Sequence, residues 1–168
     1  MTYSLYDATV VMAKGALTSL KRILTEAEKH PNSDTFFTAR LVEDMKPLTF
    51  QVHCAAFSGE PLAAKLSGGE YAEPEEDLDT YEKMHARIDS ALKHLEETDK
   101  DTVNRLGETS TSFTVRDKAI EVPVNAVVGS WNMPNVYFHV SMAYAILRKE
   151  GVPLGKRDWS RAFVSDYV

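Results

Sequence analysis

The sequence predicts an all-α fold of four main helices, with a small β-hairpin in the long connection before the last helix. Three observations support this prediction. Apolar residues recur every three or four positions in four separate segments. The helical period is lost between Thr98 and Met133 and gives way to strand-like alternation over residues 113–124. Proline and glycine lie where helices are expected to begin and end. The length of 168 residues fits one domain, residues 1–168.

The first helix is predicted over residues 4–29. Ser4 and Asp7 give an S-x-x-D start, which is a variant of the capping box. Its apolar positions share one face, so one side is expected to pack on a core. These positions are Leu5, Ala8, Met12, Ala16, Leu20, Ile23 and Ala27.

The second helix is expected to begin near Pro47, because a proline in the first turn lacks only an N–H that has no helical partner. A short helical lead-in is predicted over residues 36–41. Gly59 and Pro61 are expected to bend or interrupt the helix. The Gly68-Gly69 pair is expected to end it.

This second helix has apolar residues on two sides, which indicates that both sides are covered. Its second strip contains the large rings of Phe50 and Phe57, with His53 and Cys54 among them. Two interpretations stay open: the strip is a dimer interface, or it forms the wall of a ligand cavity. We expect a homodimer in which a partner chain covers the strip. The alternative cover is the chain's own hairpin.

The third helix is predicted over residues 77–97, with His94 opposite its apolar stripe. In the hairpin, Pro123 indicates an edge strand or a bulge. The last helix is predicted over residues 133–150, with Pro134 in its first turn and Gly151 at its C-terminal cap. Its middle is apolar nearly all round, so we expect it to be the least exposed of the four.

Composition and charge exclude several classes of function. The formal net charge is -6 and no dense basic run occurs, so nucleic acid is not an expected partner. No apolar run of about 18 residues occurs, so no membrane contact is expected. The N-terminal stretch lacks a basic region ahead of its apolar residues, so no secretory signal is expected. Cys54 is the only cysteine, so no internal disulfide can form. We expect a cytoplasmic protein.

The candidate chemistry centres on His139, in the middle of the apolar last helix. Asn135 lies one turn earlier on the same face, so it is the expected hydrogen-bond partner of a buried imidazole. Asparagine is a poor zinc ligand and no carboxylate shares this face, so no metal and no cofactor are expected. His53 lies among aromatic residues, which favours its neutral, basic form. A purely structural role for His139 stays open beside the catalytic one.

The C-terminal part of the chain, "PNVYFHVSMAYAILRKEGVPLGKRDW", resembles the signature of an uncharacterised family within the DinB/YfiT-like superfamily. Weaker similarities are "LYDATV", "QVHCAA" and "DTYEKMHARIDSALKHL", so the resemblance covers nearly the whole chain. It implies a DinB-like four-helix bundle with one long crossover, often a dimer. It also implies, for the wider superfamily, a divalent metal held by histidines of the second and last helices, and for some members a thiol-dependent transferase or isomerase activity.

The chain departs from that pattern at the metal ligands. Phe57-Ser58 stand where relatives carry an aspartate-histidine pair, and Asn135 stands where the superfamily has its first last-helix histidine. We therefore expect a repurposed apolar pocket with His53 and His139 as its polar groups, instead of a metal site.

The sequence thus predicts a protein that binds a small apolar molecule, and a metal-independent acid–base enzyme of isomerase, cyclase or lyase type is one form of this hypothesis. Two alternatives stay open: a metal-dependent, thiol-using transferase, and a non-catalytic dimeric module. The predicted catalytic residues are His53, His139 and Asn135. The predicted substrate-binding residues are Phe50, Phe57, Trp131, Phe138 and Met142.

Overall fold

The computed structural model describes residues 3–68, 71–72 and 75–164. Its four long helices are α1 (Met12–Glu28), α2 (Leu48–Ser67), α3 (Tyr81–Glu96) and, last in the chain, α6 (Met133–Lys149). The shorter helices are α4 (Lys100–Gly107), α5 (Val124–Val127) and α7 (Lys156–Ser160). Single turns of π-helix (Asp7–Val11, Val128–Asn132) and of 3-10 helix (Ser33–Thr38, Arg161–Phe163) complete the helical structure. Strands β1 (Ser110–Val115) and β2 (Lys118–Pro123) form an antiparallel hairpin.

The four long helices form a bundle in which α1 and α2 are diagonal to each other. Each of them packs against both α3 and α6. The core between them is closely packed and fully apolar at its centre, with Leu17, Leu62, Ile88 and Val140 completely buried. The long connection from α3 to α6 carries α4 and the hairpin. This architecture confirms the predicted all-α bundle with a crossover and a hairpin.

The helix ends follow the local sequence. Ser4 and Asp7 exchange hydrogen bonds: the Asp7 carboxylate accepts from the backbone N–H of Ser4 at 2.9 Å, and the Ser4 hydroxyl oxygen accepts from the Asp7 N–H at 3.4 Å. Gly68 ends α2 with φ of 74°, and Gly151 follows α6 with φ of 93°. The predicted caps are confirmed at these positions. Gly69 lies outside the described residues.

Three expectations about the helices are wrong. α2 runs unbroken through Gly59 and Pro61, so the expected interruption is wrong, while the expected bend stays a prediction. Pro61 removes one hydrogen bond from a helix that is held by packing on two sides. A Cβ on Gly59 would lie 3.2 Å from Leu17, so the glycine serves the close approach of α2 to α1. Helix α4 was not expected, because its single buried valine, Val103, is too little for a recognisable period.

The last helix is also less buried than expected. In the single chain, α1 and α2 bury a larger share of their residues than α6 does. Phe138 on α6 is 51% exposed, and Trp131 just before α6 is 58% exposed. None of the helices in the described part of the chain is long and apolar enough to cross a membrane.

The end of the signature, "GKRDW", holds the C-terminal segment, residues 155–163, against α1. The Asp158 carboxylate accepts a hydrogen bond from the Gly155 N–H at 2.7 Å and so begins α7. The Ser19 hydroxyl of α1 donates to the Trp159 carbonyl at 2.6 Å, and the Trp159 ring packs on Phe163 with 4.9 Å between centroids. This part of the motif therefore has a structural role.

Candidate functional site

An apolar groove of about 360 Å³ lies between α2, the hairpin and the start of α6. This volume lies within the range typical of small-molecule sites. The described residues that line it are Cys54, Phe57, Ser58, Pro61 and Lys65 of α2, Phe113 of β1, and Val127, Trp131, Asn132, Asn135 and His139 on the chain that runs into α6. The groove therefore brings together His139, Asn135, Phe57 and Trp131 from the predicted set.

His139 is fixed in one neutral form by Gln51 of α2. The Gln51 side-chain N–H donates to the Lys46 carbonyl at 3.1 Å, which turns the amide oxygen towards α6. His139 Nδ1 lies 2.9 Å from that oxygen, so Nδ1 carries the proton and donates. Nε2 is then the acceptor. Burial lowers the pKa of His139 below its usual value, so the neutral ring is favoured.

The expected partnership of Asn135 with His139 is wrong. The Asn135 amide donates instead to the Trp131 carbonyl at 2.7 Å, one turn earlier in the chain. Asparagine side chains readily form local bonds of this kind with nearby backbone groups, and His139 bonds to Gln51 of α2 instead. Asn135 still lines the groove.

His53 lies elsewhere around α2. It follows Gln51 by two residues, which is about 200° around a helix, so it points away from the Gln51 side. It is buried, its Nδ1 accepts from Arg87 of α3 at 2.9 Å, and its ring stacks on Phe57 with 6.0 Å between centroids. His53 is not among the residues that line the groove. The groove is therefore not the shared pocket of two histidines that the sequence led us to expect, and the catalytic role of either ring stays a prediction.

The predicted aromatic residues separate into two groups. Phe57 and Trp131 line the groove, and Phe113 of the hairpin meets Trp131 edge to face at 5.7 Å. Phe50 and Phe138 contact the His139 ring, at 6.2 and 5.2 Å between centroids, but neither lines the groove. Met142 is half-buried on α6 and is also outside the groove lining. Gln51, Lys65 and Phe113 were not predicted as site residues. Of the three, Phe113 alone had a signal in the sequence, because the alternation of its strand places its side chain on the inward face.

Asn132 adds an unusual polar atom to the groove wall. Its side-chain oxygen is buried and has no hydrogen-bond partner within the described part of the chain. A buried acceptor without a donor costs about 1–3 kcal/mol. Because this oxygen is shielded from solvent, it is a cost to the fold and not an established contact for a ligand.

The residues present do not fit the divalent metal that the superfamily implies. Within residues 3–68, 71–72 and 75–164, no group of three histidine, cysteine or carboxylate side chains is arranged to hold a metal ion. Among the described residues of the groove wall, His139 and Cys54 are the only ones of the usual donor types. At the remaining superfamily ligand positions stand Phe57, Ser58 and an asparagine whose amide is bonded to the backbone.

A second, smaller cavity of about 150 Å³ surrounds the buried carboxylate of Glu60 on α2. Its oxygens accept from the hydroxyls of Tyr71 and Ser90, both at 2.9 Å, and His94 Nδ1 lies 3.4 Å away. His94 was expected to be solvated, and its side chain is half exposed. The Tyr71 ring also meets Phe57 at 5.6 Å, so the cluster supports one wall of the groove.

Two comparisons place the chain among known proteins. Residues 5–160 match the family model described as Domain of unknown function (DUF1993). The solved structure of a DinB family member protein from Shewanella denitrificans is similar over 92% of this chain and 90% of its own, with 29% sequence identity and a TM-score of 0.83. No protein among those with curated functions matches. The match over nearly the whole length confirms the resemblance seen in the sequence, and the chain belongs to the DUF1993 family, with a DinB-like fold.

Proposed function

We propose that this protein binds a small, largely apolar organic molecule in the groove, with His139 as the acid–base group. The observation that carries the proposal is the Gln51–His139 hydrogen bond, which leaves Nε2 as a neutral acceptor on a residue that lines an apolar groove. Histidine is the side chain best suited to proton transfer near neutral pH. An apolar wall keeps the ring neutral and offers surface to a flat ligand.

The chemistry that suits this arrangement is metal-independent proton transfer at carbon. A neutral imidazole can take a proton from a carbon next to a carbonyl group. An isomerase or cyclase returns that proton to another atom of the same molecule, and a lyase passes it to the leaving group as the bond to that group breaks. Asn135 also lines the groove, where its side-chain N–H is held by the Trp131 carbonyl. We assign His53 a positioning role, because its ring stacks on Phe57 and it is not among the residues that line the groove.

Binding is tested by titration with Nile red, a neutral apolar dye whose fluorescence rises in apolar sites. We expect saturable binding to the wild type and weaker binding to Trp131→Ala and Phe113→Ala, which remove the aromatic wall. Tyr3→Ala is the matched control, since Tyr3 is aromatic and exposed but is not among the described residues that line the groove. Equal loss in all three variants would contradict a site in the groove.

The reaction class is tested with 2-tetralone, a bicyclic ketone whose α-protons exchange with solvent deuterium. NMR measures the exchange rate with and without protein. We expect the wild type to accelerate exchange and His139→Gln, which keeps a polar side chain of similar length, to return the rate to that of buffer. Nile red binding by both proteins with no acceleration by either would favour the alternative of a non-catalytic binding module.

A further inference from the structure

Lys65 is the one charged residue among the described residues of the groove wall. It lies in the last turns of α2 and is partly buried. Lys65 forms no ion pair with a carboxylate in the described parts of the chain. The chain has a net charge of -6, so carboxylates outnumber cations on its surface. Lys65 thus faces an apolar groove without a counter-charge from the described carboxylates, and its ammonium group is open to an anion from outside.

Lys65 and His139 both line the groove, and the α2 residues that place them are well separated. Gln51, which holds His139, precedes Lys65 by fourteen positions on the same helix, and this backbone separation corresponds to about 21 Å along the axis. The α2 wall between these two positions is mostly apolar and includes Phe57 and Pro61. The backbone of the charged residue and the residue that holds the neutral base are therefore separated by a mostly apolar stretch of α2.

We infer that the ligand of this groove is an amphipathic organic acid, with one anionic group that pairs with Lys65 and an apolar body that extends over Phe57 towards His139. This inference rests on the proposed function and names its ligand class. A cationic ligand would be repelled by Lys65. A neutral ligand would leave the ammonium group of Lys65 without a counter-charge in the groove, where apolar walls strengthen charge interactions.

The inference is tested with three probes of equal chain length: octanoate, 1-octanol and octylammonium. Calorimetric titration at neutral pH measures the dissociation constant of each. We expect the wild type to bind octanoate roughly two- to fivefold more tightly than octanol, which is within the range for a partly exposed ion pair. The octanoate preference should shrink as salt is added, because salt screens the pair.

Charge variants assign this preference to one side chain. Lys65→Gln should bring octanoate to the affinity of octanol and leave octanol unchanged, and Lys65→Glu should favour octylammonium over octanoate. Lys93→Gln removes the same charge from an exposed site on α3 and should keep the wild-type preference. Circular dichroism checks that each variant is folded.

The possible results separate the two proposals. If octanol and octanoate bind equally and Lys65→Gln changes neither, the organic-acid inference is overturned while the binding groove stands. If Lys93→Gln abolishes the octanoate preference as fully as Lys65→Gln does, the preference comes from overall charge and the inference is overturned. If none of the probes binds to the folded wild type, both the inference and the proposed function fail.

Discussion

The chemical state of His139 is decided by a side chain 88 positions away. Gln51 is held by the Lys46 carbonyl, so its oxygen is the part that meets the ring, and Nδ1 must donate. Burial then disfavours the charged ring. A glutamine, in contrast to a glutamate, fixes the tautomer without adding a charge that would favour the imidazolium.

Replacing Gln51 therefore should change the ring's protonation. We expect Gln51→Glu to raise the pKa of His139 above that of the wild type, because a carboxylate at hydrogen-bond distance stabilises the imidazolium. Gln51→Leu should leave the pKa lowered but abolish the preference for the Nδ1–H tautomer. Nitrogen-15 NMR of labelled histidine measures both quantities. An unchanged tautomer in Gln51→Leu would mean that Gln51 does not set it.

The lowered pKa of His139 also makes stability depend on pH. Because the folded pKa lies below the unfolded value of about 6.5, the unfolded chain binds the proton more strongly. The contribution of the neutral His139 ring to the free energy of unfolding is therefore fully present above about pH 6.5. It is lost as the pH falls from there through the pKa of the folded state. Each tenfold difference in proton affinity corresponds to about 1.4 kcal/mol.

Urea unfolding from pH 7.5 down to pH 5 measures this dependence. We expect the free energy of unfolding of the wild type to fall more steeply than that of His139→Gln over this interval. Parallel curves for the two proteins would contradict a perturbed His139.

The residues that could be predicted from the sequence are those whose meaning is local. His139 and Asn135 were identified by their spacing on one helix, and both line the groove. The partner of His139 could not be predicted, because Gln51 meets His139 only through the register of α2 against α6. His53 was grouped with His139 for the same reason: the sequence does not specify how α2 is rotated about its own axis.

At the scale of elements, the long helices could be predicted from the sequence, whereas the connecting segments and their contacts with the helices could not. The apolar period identified α1, α2, α3 and α6, whereas α4 is too short and too polar to give a period. The C-terminal segment depends on a contact that no local pattern reveals. A Cβ on Gly15 of α1 would lie 2.9 Å from the Phe163 ring and 3.3 Å from its Cα.

Gly15→Ala should therefore destabilise the protein by about 1–3 kcal/mol, the usual cost of overpacking a tight contact. Part of the obstacle is backbone, which cannot rotate away. Gly129→Ala is the matched control: nothing lies within 4 Å of the added carbon, and its φ is not positive. That change should stabilise the protein by about 0.5–1 kcal/mol through a less flexible unfolded chain. Thermal unfolding compares the two, and a stabilised Gly15→Ala would contradict the packing described here.

At the scale of the whole molecule, the expected homodimer stays a prediction, but the structure favours a different surface as its interface. Phe57 is partly covered by His53 and Tyr71 of its own chain, and Phe50 by the His139 ring. Among the exposed large apolar side chains of the described residues, Phe138 and Trp131 are the aromatic ones at or beside the groove. These two are the residues that a second copy would protect from water.

We predict a dimer in solution whose interface includes Phe138. Phe138→Asp should convert it to a monomer, because a buried carboxylate without a partner is costly. Light scattering coupled to size exclusion measures the mass, with Val42→Asp, an exposed apolar residue before α2, as the control. A wild-type monomer, or a Phe138→Asp variant that remains dimeric, would contradict this interface.

The central claim is that the groove beside His139 is the binding site, and NMR of protein labelled with nitrogen-15 in histidine and tryptophan tests it most directly. Titration with 1-octanol should shift the Trp131 indole signal and the His139 Nε2 signal along one saturation curve. The Trp159 indole, packed on Phe163 against α1, is the internal control and should not move. Unchanged Trp131 and His139 signals, or an equal shift of Trp159, would contradict the account.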